Sequence, residues 1–204
     1  MSSVATIKRN DIPPHLEVKG GRPLSGVLKV SGAKNSSLVL MAAALLTKEK
    51  LFLKNVPQLT DIHVMSEILI NLGAKLIKSN NSIEINSEFI HNAELPHKLV
   101  HSLRASFFCV GPLLTRLGEV KIPLPGGCKI GARPVDEHLN GLSALGAEVE
   151  VKNGVVKAQV LSKNKRLHGA NITLKYPSVG ATETILMASC LALGKTTISN
   201  PARE

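Results

Sequence analysis

At 204 residues, 44% hydrophobic and with a formal charge of +10, the chain has enough apolar content for a real core and a bias toward anionic partners, which argues against a disordered tail. One Tyr, four Phe and no Trp leave few stacking platforms for single-stranded nucleic acid, and three cysteines without CxxC spacing argue against a disulfide framework or a zinc site. MSSVATIKRNDIPP has no signal-peptide core, and the longest apolar run, LVLMAAALL at 38–46, is far below the roughly 20 residues of a membrane span, so a cytoplasmic protein without a membrane partner is expected.

In chain order, SGAKNSS at 31–37 opens a first helix with Lys34 and Asn35 at its entrance, and SLVLMAAALL at 37–46 reads as buried nearly all round. A cation at the positive end of a helix dipole is disfavoured unless an anion lies nearby. The segment LLTKEKLFLKNVP at 45–57 then shows the apolar end of a helix, a polar turn and an alternating strand closed by proline, and the pattern recurs in LLTRLGEVKIPLP at 113–125 and LALGKTTISNPA at 191–202. After the first two copies, MSEILINLGAKLIKSNNSIEI and LNGLSALGAEVEVKNGVVKA each predict a helix ending at Leu-Gly-Ala, with Gly73 and Gly146 as terminators, then two short strands around an Asn-containing turn. The unit is helix, strand, helix, strand, strand, which predicts an α/β protein with interior helices. By the same logic helix 179–193 and strand 195–199 begin a third copy, and the chain stops where its second helix should start.

Between these copies, HKLVHSLRASFFCVGPLL reads as helical, and Arg104 among apolar turns calls for a carboxylate or phosphate partner, with a structural salt bridge as the alternative. Cys109 and Cys190 lie in apolar helical contexts and read as core residues. Cys128 differs, because in LPGGCKIGARPVD two glycines free the backbone while Lys129 and Arg133 can stabilise a thiolate. That favours a reactive cysteine over a turn cysteine without function. GARPVDEH at 131–138 places Pro134 in a first helical turn and Asp136 at the favourable end of the dipole, with Arg133 just before it; His138 reads as a satisfied polar residue more than a base. The cluster KNKR at 163–166 reads as a solvated loop before a nucleic-acid patch. In PSVGATE at 177–183, Ser178 and Gly180 open a helix with backbone N–H groups free for a ligand. An ordinary capped helix is the plainer alternative at each of these three starts, and their recurrence weighs against it.

LPGGCKIGARPVDEH, with GAKN at 32–35, LRAS at 103–106, SVGATE at 178–183 and NPARE at 200–204, closely resembles the UDP-N-acetylglucosamine enolpyruvyl transferase (1-carboxyvinyltransferase) family, in order from about residue 15 to the C-terminus. The GGC…ARPVD loop separates it from the sister family, 5-enolpyruvylshikimate-3-phosphate synthase. The resemblance implies an inside-out α/β barrel of βαβαββ-like repeats with central helices, its third repeat truncated. Residues 1–33 would be an N-terminal segment contributing to a second domain, and 34–204 the incomplete catalytic-loop domain, with that second domain of the same enzyme as the expected partner.

The implied reaction moves the enolpyruvyl group of phosphoenolpyruvate to the 3′-hydroxyl of UDP-N-acetylglucosamine by addition and elimination, with no cofactor, no metal and no nucleic acid. Cys128 would be the acid at the methylene carbon. Lys34, Asn35 and Arg133 would bind phosphoenolpyruvate, while Arg104, the run Arg133, Pro134, Val135, Asp136 and Glu137, and Ser178, Val179, Gly180 and Ala181 would bind the nucleotide sugar. His138 would support the network near the loop. Tyr176, beside Lys175, stands where some members carry lysine, and the implied base and further arginines fall beyond Glu204. On this basis the 204-residue chain alone is expected to be inactive, or a remnant keeping partial nucleotide-sugar binding.

Overall fold

A computed structural model describes residues 20–21, 23–125 and 134–203. The chain divides into two compact units, 1–30 and 31–204. In the first, the described residues from 23 to 30 are without strand or helix, and Leu24, Val27, Leu28 and Val30 are exposed.

The second unit holds two full copies of one motif and part of another. The first copy runs α1 (Lys34–Ala43), β1 (Lys50–Lys54), α2 (Thr60–Asn71), β2 (Lys75–Ser79) and β3 (Ser82–Asn86). The second runs α3 (His97–Ser102), a 3-10 segment Arg104–Cys109, α4 (Val110–Leu117), β4 (Glu119–Pro123), α5 (Asp136–Ala144), β5 (Ala147–Lys152) and β6 (Val155–Val160). The third contributes β7 (Asn171–Thr173), α6 (Val179–Ser189) and β8 (Thr197–Ser199). Each full copy folds its strands into an antiparallel sheet with the last strand in the middle, in the orders β1-β3-β2 and β4-β6-β5. The third copy has β7 parallel to β8, and an isolated parallel bridge from Glu94 to Lys121 repeats that pairing in the second.

Helix ends follow the sequence pattern. Gly73 and Gly146 have φ of +101° and +93°, a conformation that costs glycine little, and their N–H groups donate to Ile70 and Ser143 carbonyls. The sheets bury one face: Ile83 and Ile85 on β3, Val120 and Ile122 on β4, and Val156, Ala158 and Val160 on β6 point inward, while Phe52 and Ile77 flank Glu84 on the outer face. The helices fill the interior. A methyl on Gly111 of α4 would stand 2.6 Å from the Thr184 carbonyl oxygen of α6, and one on Gly141 of α5 would stand 2.2 Å from Ile185 Cδ1. The two glycines thus let α4 and α5 press closely against α6. Arg116 fastens the first copy to the second: Nη1 donates to the carbonyls of Leu45 at 2.8 Å and Thr47 at 2.9 Å, and Nη2 to that of Ser87 at 3.1 Å.

Four expectations are corrected. The 97–114 stretch is not one helix: Leu103 is extended, at φ −137° and ψ 102°, so the chain breaks into α3, the 3-10 segment and α4, with Pro112 tolerated in the first turn of α4. Cys190 is exposed, because α6 ends at Ser189 and its C-cap faces outward, whereas Cys109 is fully buried. Leu40 of α1 and Leu186 of α6 are also exposed, so neither helix is covered all round. Pro134 precedes α5, which starts at Asp136 with Val135 as its N-cap. The cluster 163–166 is an exposed loop in which Arg166 donates to the Leu191 carbonyl. No helix among the described residues is long and apolar enough to cross a membrane.

Candidate active site

Lys34 is the first residue of α1, whose N-cap, Ala33, offers no side-chain cap and whose first turn has no acidic residue. The unfavourable pairing of a cation with a helix N-terminus is offset from another element: Asp61, in the first turn of α2, accepts from Lys34 Nζ at 2.7 Å. Both residues line a cavity of about 760 Å³ together with Asn35. A second wall carries Arg104, at the start of the 3-10 segment, with Phe107 and Phe108 one turn on.

His138, in the first turn of α5, also lines the cavity but is itself mostly buried. Its Nδ1 lies 3.0 Å from Thr184 Oγ1, and its ring meets Phe107 edge-on at 5.0 Å. Burial, with the Arg104 charge adding to it, pushes its pKa down from 6.5 to about 4, so it is a neutral, partnered imidazole at pH 7. Gly180 packs close by; a methyl there would stand 3.0 Å from His138 Cε1.

The third wall is the start of α6. Ser178 is its N-cap and its Oγ accepts from the Ala181 N–H at 3.3 Å, so this donor is not free for a ligand as the sequence suggested. Ser178, Val179 and Gly180 line the cavity, as do Pro134 and Val135 before α5 and Tyr176 before α6. Ala181, Asp136 and Glu137 do not. Glu137 is buried and structural: Oε2 accepts from the Lys175 N–H at 2.7 Å, and Oε1 from Asn140. Cys128, Lys129 and Arg133 lie outside the described residues, although Pro125 and Pro134, which bracket that segment, both line the cavity.

Two charged lining residues were not singled out from the sequence. Asp61 is one, and it reaches Lys34 only through the packing of α2 on α1. Glu183, on α6, is the other: its Oε2 is buried without a hydrogen-bond partner, and burial raises its pKa above the ordinary carboxylate value. The cavity therefore presents cations on two walls, backbone and hydroxyl groups at a helix start on the third, and one carboxyl whose buried oxygen awaits a donor. Such an arrangement suits a polar, anionic ligand.

Helices inside, repeated units of helix, strand, helix, strand, strand, and an anion-suited cavity at helix starts define an enolpyruvyl-transferase type of fold. Residues 18–204 match the family described as EPSP synthase (3-phosphoshikimate 1-carboxyvinyltransferase), and the chain belongs to that family. It is 87% identical over all 204 residues to the UDP-N-acetylglucosamine 1-carboxyvinyltransferase of Prochlorococcus marinus strain NATL2A, covering 44% of that protein, and 57% identical to that of strain MIT 9313, covering 47%. The chain thus spans less than half the length of the curated relatives it matches. Among solved structures, the enolpyruvyl transferase NikO from Streptomyces tendae superposes with a TM-score of 0.74 at 24% identity, over 89% of this chain and 42% of that one. EPSP synthase from Acinetobacter baumannii gives 0.68 at 16% identity, over 88% and 41%. At those identities the likeness is one of fold.

Proposed function

We propose that the chain is the N-terminal part of a UDP-N-acetylglucosamine 1-carboxyvinyltransferase, which moves the enolpyruvyl group of phosphoenolpyruvate to the 3′-hydroxyl of UDP-N-acetylglucosamine and releases phosphate. The step is the first committed one of peptidoglycan synthesis and takes place in the cytoplasm. In it the sugar hydroxyl gives its proton to a base as its oxygen bonds to C2 of phosphoenolpyruvate and C3 is protonated to a methyl; loss of a proton from that methyl and of phosphate from C2 then leaves the enol ether.

The observation that carries this reading is the convergence of Lys34, Arg104, Pro134, Val135 and the Ser178–Gly180 helix start on one cavity, which Pro125 also lines. Lys34, Asn35 and Arg133 hold phosphoenolpyruvate, and Cys128 protonates its C3. Arg104, Arg133–Val135 and Ser178–Gly180 hold the nucleotide sugar; Asp136 and Ala181 take part through their backbone, and Glu137 by anchoring the bend at Lys175 that leads into α6. His138 supports this wall as a neutral group. The carboxylate base and the remaining arginines belong to the second domain, so the 204-residue chain binds without turning over.

Incubation with fosfomycin, an epoxide, in the presence of UDP-N-acetylglucosamine should add one equivalent to Cys128 by intact mass and peptide mapping. An unmodified Cys128 counts against the reading. A second reading, a remnant that keeps partial nucleotide-sugar binding without catalysis, would bind UDP-N-acetylglucosamine and leave Cys128 unmodified.

A further inference from the structure

We infer that Asp61 is a positioning residue for anion binding, acting through Lys34. The inference rests on the reading of the cavity as a phosphoenolpyruvate site. The Lys34 ammonium ends a flexible four-carbon stem, and an unrestrained lysine at a cavity wall loses rotamer freedom when it binds a ligand. Here Asp61 Oδ2 holds Nζ at 2.7 Å, with both side chains on the cavity wall. An ammonium has three N–H donors, so the bond to Asp61 leaves two for an incoming anion, and the ion pair need not break.

A carboxylate beside an anion site also repels the anion. Asp61, however, sits in the first turn of α2, where the uncompensated N–H groups of the helix end offset much of its charge. What it contributes to the cavity is therefore position more than repulsion. The reverse holds for Lys34, whose own helix end opposes its charge and which has no acidic neighbour in its first turn. Asp61 is the group that makes a cation tolerable there while the cavity is empty. The two residues are 27 positions apart, on different helices, so the pair also fixes the α1 and α2 starts relative to each other at the cavity.

The test is calorimetric binding of phosphoenolpyruvate, and separately of inorganic phosphate, to the full chain with UDP-N-acetylglucosamine present. Asp61→Asn should weaken binding about 3- to 10-fold, Asp61→Glu should restore it to within about 2-fold, and Lys34→Met should weaken it at least about 10-fold. In the Lys34→Met background Asp61→Asn should have no further effect, because Asp61 acts only through the amine. Circular dichroism checks that each variant is folded. Acylation of Lys34 by an amine-reactive ester, read by peptide mapping, should be faster in Asp61→Asn than in wild type. Unchanged or tighter binding in Asp61→Asn, the same loss with and without Lys34, or unchanged acylation overturns the assignment of Asp61 while leaving the site intact. A wild-type chain that binds neither probe, or a Lys34→Met variant that binds normally, overturns the underlying reading of the cavity as well.

Discussion

Thr184 on α6 holds His138 on α5 by a 3.0 Å contact between Oγ1 and Nδ1, and the same residue offers its backbone carbonyl to the close approach of Gly111 on α4. One threonine therefore ties the wall of the cavity to the packing of three helices.

Because His138 is kept neutral inside the fold, its pKa lies near 4 instead of 6.5. The unfolded chain binds the proton first on acidification, so this group's contribution is fully present above pH 6.5 and is lost progressively as pH falls toward 4, by at most on the order of 3 kcal/mol. Urea unfolding of wild type and His138→Gln at pH 7 and pH 4.5 should show a smaller acid loss in the variant. Equal losses would place the acid sensitivity elsewhere.

Glu183 behaves with the opposite sign. Its folded pKa is raised by burial, so the folded state holds the proton more tightly and stability falls as pH rises upward from about 4.5. Glu183→Gln keeps the shape and removes the ionisation. Its unfolding midpoint should exceed that of wild type at pH 7 and approach it at pH 4.5; a variant less stable than wild type at both values would mean that the buried oxygen has a partner in solution.

The glycines facing α6 predict a graded cost. Gly111→Ala would drive a methyl to 2.6 Å from a backbone oxygen, which cannot move without shifting α6, so a loss of roughly 1–3 kcal/mol is expected. At Gly141 the clash is with the end of the Ile185 side chain, which can change rotamer, so Gly141→Ala should cost less. Thermal denaturation of the two variants side by side gives the order.

Thiol reactivity separates the two described cysteines. Cys109 is fully buried with its pKa pushed up to about 12, and its Sγ lies 4.0 Å from Met65 Sδ; Cys190 is exposed at the end of α6. Iodoacetamide at pH 8 should label Cys190 in the native chain and reach Cys109 only after unfolding. Early labelling of Cys109 would indicate that the interior around α4 opens locally.

The repeat was legible in the sequence because its signals are local. Leu-Gly at 72–73 and 145–146 ends helices whatever they pack against, and strand alternation marks which residues face inward. The fates of Cys190, Leu40 and Leu186 were not legible, since a uniformly apolar helix carries no periodicity to show which side lacks a neighbour. Lys34, Asn35, Arg104, Pro134, Val135 and the 178–180 run do share one cavity. Asp61 and Glu183 escaped notice for a different reason: each looks like a surface carboxylate in its own helix, and only the packing of α2 on α1, or of α6 on α4 and α5, brings it to the cavity. Arg116 hides in the same way, as its three carbonyl partners come from two remote stretches of chain.

The glycine contacts of α6 also set where the cavity can yield. Gly111 meets the backbone of α6 and Gly141 the Ile185 side chain, so α6 cannot shift without displacing both neighbours, and the wall formed by Ser178, Gly180 and His138 is held by helix packing. Compliance is left to the side built from long or half-exposed side chains, Lys34 and Asp61 foremost. The cavity thus joins a wall set by helix packing to one set by an ion pair between partly exposed side chains.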